Sequence, residues 1–68
     1  MKEAKKKLED EIRRLDRELK EEIPKALKTA AAMGDLSENA EYQAAKERQS
    51  FLQARLAQLR ERLATLSL

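Results

Sequence analysis

The chain has 68 residues, of which 41% are charged and 41% hydrophobic, and its formal net charge is +2. A chain of this length forms at most one small domain with a limited core. It contains no cysteine and no histidine, which excludes disulfides and the usual zinc and thiol chemistry. No apolar run approaches the roughly 20 residues needed to span a bilayer, and the charged N-terminus does not resemble a signal peptide. We therefore expect a cytoplasmic protein without a membrane partner.

An apolar stripe with coiled-coil spacing predicts a first helix. Its members follow at intervals of four, three, four, four and four residues: Leu8, Ile12, Leu15, Leu19, Ile23 and Leu27. The consecutive steps of four resemble a stutter, which locally relaxes a left-handed supercoil, and Pro24 within them can kink a helix. We predict one helix over about residues 3–33, bent near residues 20–24. Two shorter helices that meet at Pro24 are the alternative.

Helix stop and start signals stand next to each other in the middle of the chain. Gly34 is the only glycine and follows the end of the first stripe, where glycine commonly ends a helix. Asp35 is a good N-cap, and Glu38 three residues later completes the pattern of a capping box. These signals predict a tight turn at residues 34–36 and a second helix over about residues 36–65.

A second stripe predicts the partner surface for the first. Its members are spaced by four, three, four and three residues: Leu52, Leu56, Leu59, Leu63 and Leu66. Folding the chain at the turn places the two stripes against each other. The predicted fold is all-α, with two long antiparallel helices in a coiled-coil hairpin about 45 Å long and an acidic turn at the tip. Alanines near the turn allow the helices to approach closely, or are present because alanine favours helix.

The acidic turn is the only chemically distinctive segment. Residues 34–45 hold three acidic residues and no basic one. The carboxylates of Asp35 and Glu38 are hard oxygen ligands suited to Mg²⁺, but two such groups alone would hold that ion weakly. They suit a site whose other ligands come from a partner. The alternative is that the same two residues only form the capping box, which is the interpretation that their chemistry alone favours.

Residues 34–47, which read GDLSENAEYQAAKE, closely resemble the tip of the N-terminal coiled-coil domain of the bacterial transcript-cleavage factors GreA and GreB. The hairpin over residues 8–66 fits that domain in length and register. The resemblance covers about the N-terminal half of a typical family member. The threonine–glycine lead-in and the FKBP-like C-terminal domain of the family are missing from this sequence, and Pro24 is displaced by a few residues.

The resemblance implies a function in transcription elongation. The hairpin would enter the secondary channel of RNA polymerase. Asp35 and Glu38 would help to hold a Mg²⁺ ion at the polymerase's own active site, and the polymerase would then cleave the RNA 3′ segment of a backtracked complex. In that case the chain is not an enzyme itself, has no cofactor of its own, and activates the polymerase in trans.

The same resemblance assigns further residues to the tip. Asn39, Glu41 and Tyr42 would contact or orient groups near the active site, although Tyr42 also falls on the core stripe. Lys46 and Arg48 would contact RNA phosphates, although Arg48 also suits a solvated face.

Two other functions remain open from the sequence. The hairpin could bind the polymerase channel as a regulator without stimulating cleavage. It could also be a plain interaction module that self-associates through exposed apolar residues such as Phe51 and Leu68.

Overall fold

The computed structural model describes residues 2–35 and 37–67, and its helices form one antiparallel hairpin. The first arm consists of helix α1 (Lys2–Arg17), a π-helical segment (Glu18–Glu22) and helix α2 (Ile23–Ala31). Helix α3 (Ala40–Leu66) forms the second arm and packs against all three parts of the first. The molecule measures 48 × 16 × 12 Å. The predicted all-α hairpin is confirmed.

Leucines of the two predicted stripes form the core between the arms. The fully buried side chains are those of Leu52, Leu56 and Leu59, at most 1% exposed. They pack with buried residues of the first arm: Leu8, Leu15 and Ile23. Burying a leucine or isoleucine side chain stabilises the folded state by about 1.5–3 kcal/mol. Leu66, the last member of the second stripe, is 36% exposed and lies outside this core.

The π-helical segment lies where the sequence showed a stutter and a proline. The backbone N–H of Ile23 donates to the carbonyl of Glu18, five residues earlier. In an α-helix, four residues overshoot one turn of 3.6, so successive steps of four drift away from the partner helix. The wider π turn offsets that drift, and Ile23 remains buried. The first arm is therefore continuously helical through Pro24, and the prediction of a single helix is confirmed.

The second helix begins later than the sequence predicted. We expected a tight turn at residues 34–36 and a helix from residue 36, but α3 begins at Ala40 and residues 32–39 connect the arms. Leu36 itself lies outside the described residues. The cap of α3 is Asn39, whose side-chain oxygen accepts the N–H of Tyr42 at 3.0 Å. Asn caps as well as Asp does, and it also has a donor that binds the first arm.

Glycine fits the conformation of the chain just after α2. Gly34 has a φ of +119°, and it is the one described residue at positive φ. A residue with a side chain is strained in this backbone conformation, whereas glycine adopts it freely.

Close to the connection between the arms, Ala30 and Ala45 are buried between the arms, while the neighbouring alanines of both helices are exposed. Small side chains thus form the contact nearest the connection, and the exposed alanines serve as good helix formers.

Among the described residues, three ion pairs join the arms along the edges of the core. In each pair an acid of the first arm meets an arginine of α3: Glu18–Arg48, Glu11–Arg55 and Asp16–Arg60. The first two pairs are one heptad apart on each arm and involve the same kind of partners. Their regular spacing supports a single register between the arms.

In the part of the chain that the structure describes, no helix is long and apolar enough to cross a membrane.

Candidate functional site

The connection between the arms carries the predicted acids at one end of the rod. We define the tip loop as residues 32–39. Asp35 and Glu38 lie in this loop, and Glu41 lies in the first turn of α3; all three side chains are exposed. The negative charge of these three side chains is therefore exposed to solvent at the end of the hairpin where the arms connect.

Asp35 makes a local turn with Ser37 instead of capping a helix. Its Oδ1 atom accepts the Ser37 hydroxyl at 2.8 Å and the Ser37 backbone N–H at 3.0 Å. The hydroxyl hydrogen bond, followed by the backbone one, holds the pKa of Asp35 below its usual value because both stabilise the carboxylate. Asp35 is thus an anion at neutral pH. Ser37 orients this carboxylate through both hydrogen bonds.

Glu38 stands immediately before the cap residue of α3, so the predicted capping box between Asp35 and Glu38 does not form. Because both residues precede α3, their carboxylates do not lie on a face of that helix. Neither acid caps α3, so the interpretation of Asp35 and Glu38 as a capping box is wrong. Within the described ranges, no group of three acidic side chains is placed to hold a metal ion. The two acids suit part of a ligand set rather than a complete one.

Asn39 connects the tip loop to both arms. Its side-chain oxygen caps α3, as described above, and its Nδ2 atom donates to the carbonyl of Ala30 at 2.6 Å. Ala30 lies one residue before the end of α2 and is 3% exposed. The resemblance placed Asn39 in the tip motif without this geometry. The sequence signal for the cap was available, since Asn39 directly precedes an uninterrupted run of good helix formers.

Tyr42 and Glu41 lie just behind the acids on α3. Tyr42 is half-buried, as expected from its position on the core stripe, and its N–H is the group that Asn39 caps. Glu41 is exposed and lines a shallow groove of about 380 Å³ between the arms. The other lining residues come from the first arm: Glu22, Lys25, Ala26, Thr29 and Ala30. The roles that the resemblance gives to Tyr42 and Glu41 stay predictions.

The two basic residues of the predicted RNA contact have different surroundings. Arg48 donates to both carboxylate oxygens of Glu18, which raises the pKa of Arg48, and its guanidinium lies over the ring of Phe51. Lys46 donates to the side-chain oxygen of Gln49 at 3.1 Å and is otherwise exposed. Arg48 is therefore held by the hairpin itself, whereas Lys46 is accessible to a ligand. A contact of either with RNA stays a prediction.

Comparison with known proteins identifies the family. The family described as "Transcription elongation factor, N-terminal", GreA_GreB_N, matches residues 1–67. The chain belongs to this family. It is 47% identical over 57 residues to the transcription elongation factor GreA of Halalkalibacterium halodurans, covering 84% of this chain and 36% of that protein. It is 52% identical over 54 residues to GreA of Acidiphilium cryptum, covering 79% of this chain and 34% of that protein.

Further members of the GreA/GreB family show similar coverage. GreA of Thermodesulfovibrio yellowstonii is 50% identical over 58 residues, which are 85% of this chain and 37% of that protein. The chain thus spans about a third of the length of the curated relatives it matches. No solved structure matches the chain significantly. Membership of the GreA/GreB family confirms the resemblance that residues 34–47 suggested.

Proposed function

We propose that this hairpin acts on RNA polymerase as a transcript-cleavage factor domain, in the cytoplasm of a bacterium. It would enter the secondary channel and place Asp35 and Glu38 beside the polymerase's active site. The polymerase would then cleave the RNA 3′ segment of a backtracked complex and resume synthesis. The observation that carries the proposal is the exposure of both acids in a loop at the end of a rod only 16 × 12 Å across.

The shape and charge of the hairpin support insertion with the tip foremost. The rod is 48 Å long, and its acids at the tip loop are separated from the open end by most of that length. A group buried deep in another protein can be reached by such a rod without unfolding either partner. The leucine core between the arms keeps the rod straight enough to carry the tip there.

The chemistry of the two acids fits a shared Mg²⁺ ion. Aspartate is an anion at neutral pH, and the hydrogen bonds from Ser37 stabilise the Asp35 carboxylate further. Carboxylate oxygen is the ligand type that Mg²⁺ prefers. Asp35 binds Ser37 through Oδ1, and its exposed side chain gives Oδ2 access to solvent. If the polymerase supplied the remaining ligands, a bound Mg²⁺ ion would activate water and stabilise the leaving oxygen. The hairpin itself would contribute only the negative charge and the orientation of its two carboxylates.

Neutralising the two acids tests the proposal. Asp35→Asn and Glu38→Gln remove the negative charge and keep the size of each side chain. Because both residues lie outside the helices, the variants should keep the helicity and unfolding midpoint of the parent chain. We expect them to lose at least about 10-fold in stimulated cleavage by backtracked polymerase, since one misplaced or missing catalytic group commonly costs that much. Glu61→Gln, the same change near the open end, should leave stimulation unchanged.

The results separate cleavage from simple binding. Unchanged stimulation by the double variant, under conditions where the parent chain stimulates, would refute the proposal. If the parent chain blocks nucleotide addition without stimulating cleavage at any Mg²⁺ concentration, the hairpin is a channel-binding regulator, and the proposal is also wrong. Sedimentation at several concentrations reports on the third function, because a dimer that covers the tip loop would prevent insertion.

A further inference from the structure

The described residues of the tip loop make hydrogen bonds within the loop and to both arms. Its described side chains are exposed except for that of Asn39. Asp35 and Ser37 bind each other, and the backbone N–H groups of Met33 and Gly34 donate to Ala30 and Ala31, both at the end of α2. Of the loop residues that the structure describes, only Asn39 has a side chain that binds both arms. Asn39 therefore links the two ends of the loop that carries the acids.

The two hydrogen bonds of Asn39 need both halves of its amide. The Oδ1 atom accepts the N–H of Tyr42 at 3.0 Å, and the Nδ2 atom donates to the carbonyl of Ala30 at 2.6 Å. A carboxylate or a hydroxyl can serve as the cap, but a carboxylate has no proton to donate. Asn39 makes the cap and the cross-arm bond at the same time because its amide has an acceptor and a donor on separate atoms. The cross-arm bond joins residues nine apart, on either side of Asp35 and Glu38.

We propose that Asn39 is a positioning residue for the two tip acids. By binding the Ala30 carbonyl while it caps α3, it fixes the two ends of the loop at a set separation and limits the conformations of Asp35 and Glu38. This inference rests on the proposed function, in which the acids act at a polymerase-bound Mg²⁺. Its specific content is that the cross-arm bond matters for the reaction and the cap alone does not suffice.

Two substitutions separate the cross-arm bond from the cap. Asn39→Asp keeps a capping oxygen and places a carboxylate against the Ala30 carbonyl. Asn39→Ser keeps a neutral capping oxygen on a shorter side chain that has no amide N–H. Both variants should retain the helicity of the parent chain, because Asp and Ser are good N-caps. Asn39→Gln keeps the amide chemistry with one more methylene and serves as the conservative comparison.

The first measurement needs no polymerase. In NMR spectra of the free 68-residue chain, amide exchange should stay slow at Tyr42 in both variants, because the cap is retained. Exchange should become at least about 10-fold faster at Ser37, because a freed loop opens its local turn more often. Unchanged exchange at Ser37 in both variants would show that the cross-arm bond does not order the loop and would overturn the inference.

The second measurement follows cleavage by backtracked polymerase. We expect the half-saturating concentration of the chain to stay within about 2-fold, whereas the maximal stimulated rate falls at least about 10-fold. The Mg²⁺ concentration for half-maximal cleavage should rise, and Asn39→Gln should recover part of the rate. A loss confined to the half-saturating concentration would mean that Asn39 serves binding only, which contradicts the inference.

The two proposals fail in different ways. If Asp35→Asn and Glu38→Gln abolish stimulation but both Asn39 variants stimulate like the parent chain, the proposed function stands and the positioning role is wrong. If the acid variants are fully active, the proposed function is wrong, and the positioning role is wrong with it. The exchange rates at Ser37 are measured independently of either outcome.

Discussion

Both carboxylate oxygens of Glu18 accept hydrogen bonds from Arg48, at 2.7 and 2.9 Å, although 30 residues separate the two in the chain. The guanidinium of Arg48 also lies 5.2 Å from the centre of the Phe51 ring. Two parallel hydrogen bonds fix the geometry of an arginine–carboxylate pair more tightly than a single contact does. This pair therefore specifies how the π-helical segment aligns with α3.

A double-mutant cycle measures how strongly this pair couples the arms. Glu18→Gln and Arg48→Gln should each lower the free energy of unfolding, and the double variant should lose less stability than the sum of the two single losses, because either change alone already breaks the pair. Urea denaturation of the four chains gives the coupling energy, and Glu61→Gln controls for loss of an exposed carboxylate. The coupling should shrink at high salt. Fully additive effects at low salt would show that the pair does not stabilise the hairpin.

Stability should fall at acid pH because two carboxylates that bind basic side chains, those of Asp16 and Glu18, have lowered pKa values. Arg48 lowers the pKa of Glu18 below 4.5, and Lys20, followed by Arg60, lowers that of Asp16 below 3.8. A lowered pKa in the folded state means that the stabilisation is complete above the ordinary value and is lost as the pH falls through the folded value. Unfolding followed by circular dichroism from pH 6 to pH 2 should show this decline.

Glu18→Gln provides the matched test of that pH dependence. The variant should be less stable than the parent chain at pH 6, and the difference should narrow as the pH falls, because the parent's Glu18 becomes protonated. A difference that stays constant down to pH 2 would contradict the assigned cause. Glu61→Gln, whose carboxylate makes no ion pair among the described residues, is the control.

Neighbouring residues on α3 allow a sharp comparison between core and surface. Leu52 is fully buried, whereas Phe51 is 54% exposed. Leu52→Ala should cost about 2–5 kcal/mol, which is comparable to the total stability of so small a core, so the variant should be largely unfolded at room temperature. Phe51→Ala should cost less than about 1 kcal/mol. Urea titrations followed by circular dichroism test both values.

The Phe51→Ala variant also tests self-association through the exposed apolar residues. If Phe51 contributed to a dimer, Phe51→Ala would destabilise the chain more at high protein concentration than at low concentration. We expect no such concentration dependence. Leu68, the other residue considered for this contact, lies outside the described residues.

The leucine periodicity predicted the fold well because burial depends on a repeated pattern. Leu15 and Leu56 each occupy a position that only one hairpin register can bury, and the structure buries both. The stutter likewise predicted an irregular turn in the first helix, but it did not predict which kind. Whether such a helix forms a kink or a π turn depends on packing against the partner arm, and the spacing of one stripe does not contain that information.

The tip was harder to predict because two residues there are almost equally good caps. Asp35 and Asn39 compete for the same role, and their N-cap preferences are nearly identical. The choice depends on the Ala30 carbonyl, which only Asn39 can bind with a donor while capping. That acceptor becomes a neighbour only after the arms have paired. Local sequence rules therefore placed the helix start four residues too early.

Lys46 and Arg48 both carry positive charge within about three helical turns of the tip loop, and among the described residues Arg48 is the one that pairs with an acid. Arg48 is bound to Glu18, whereas Lys46 donates to the neutral side chain of Gln49. If phosphates of the extruded RNA approach this face, Lys46→Gln should reduce the salt dependence of binding to backtracked polymerase by about one phosphate contact.

Arg48→Gln should leave that salt dependence nearly unchanged and act mainly by lowering the stability of the free hairpin. Breaking the ion pair to reach RNA would sacrifice the coupling energy with Glu18, so a phosphate gains little from Arg48. The measurement is the half-saturating concentration of each variant at several salt concentrations, with Glu61→Gln as the control. A larger change in salt dependence for Arg48→Gln than for Lys46→Gln would show that the arginine exchanges Glu18 for phosphate in the complex.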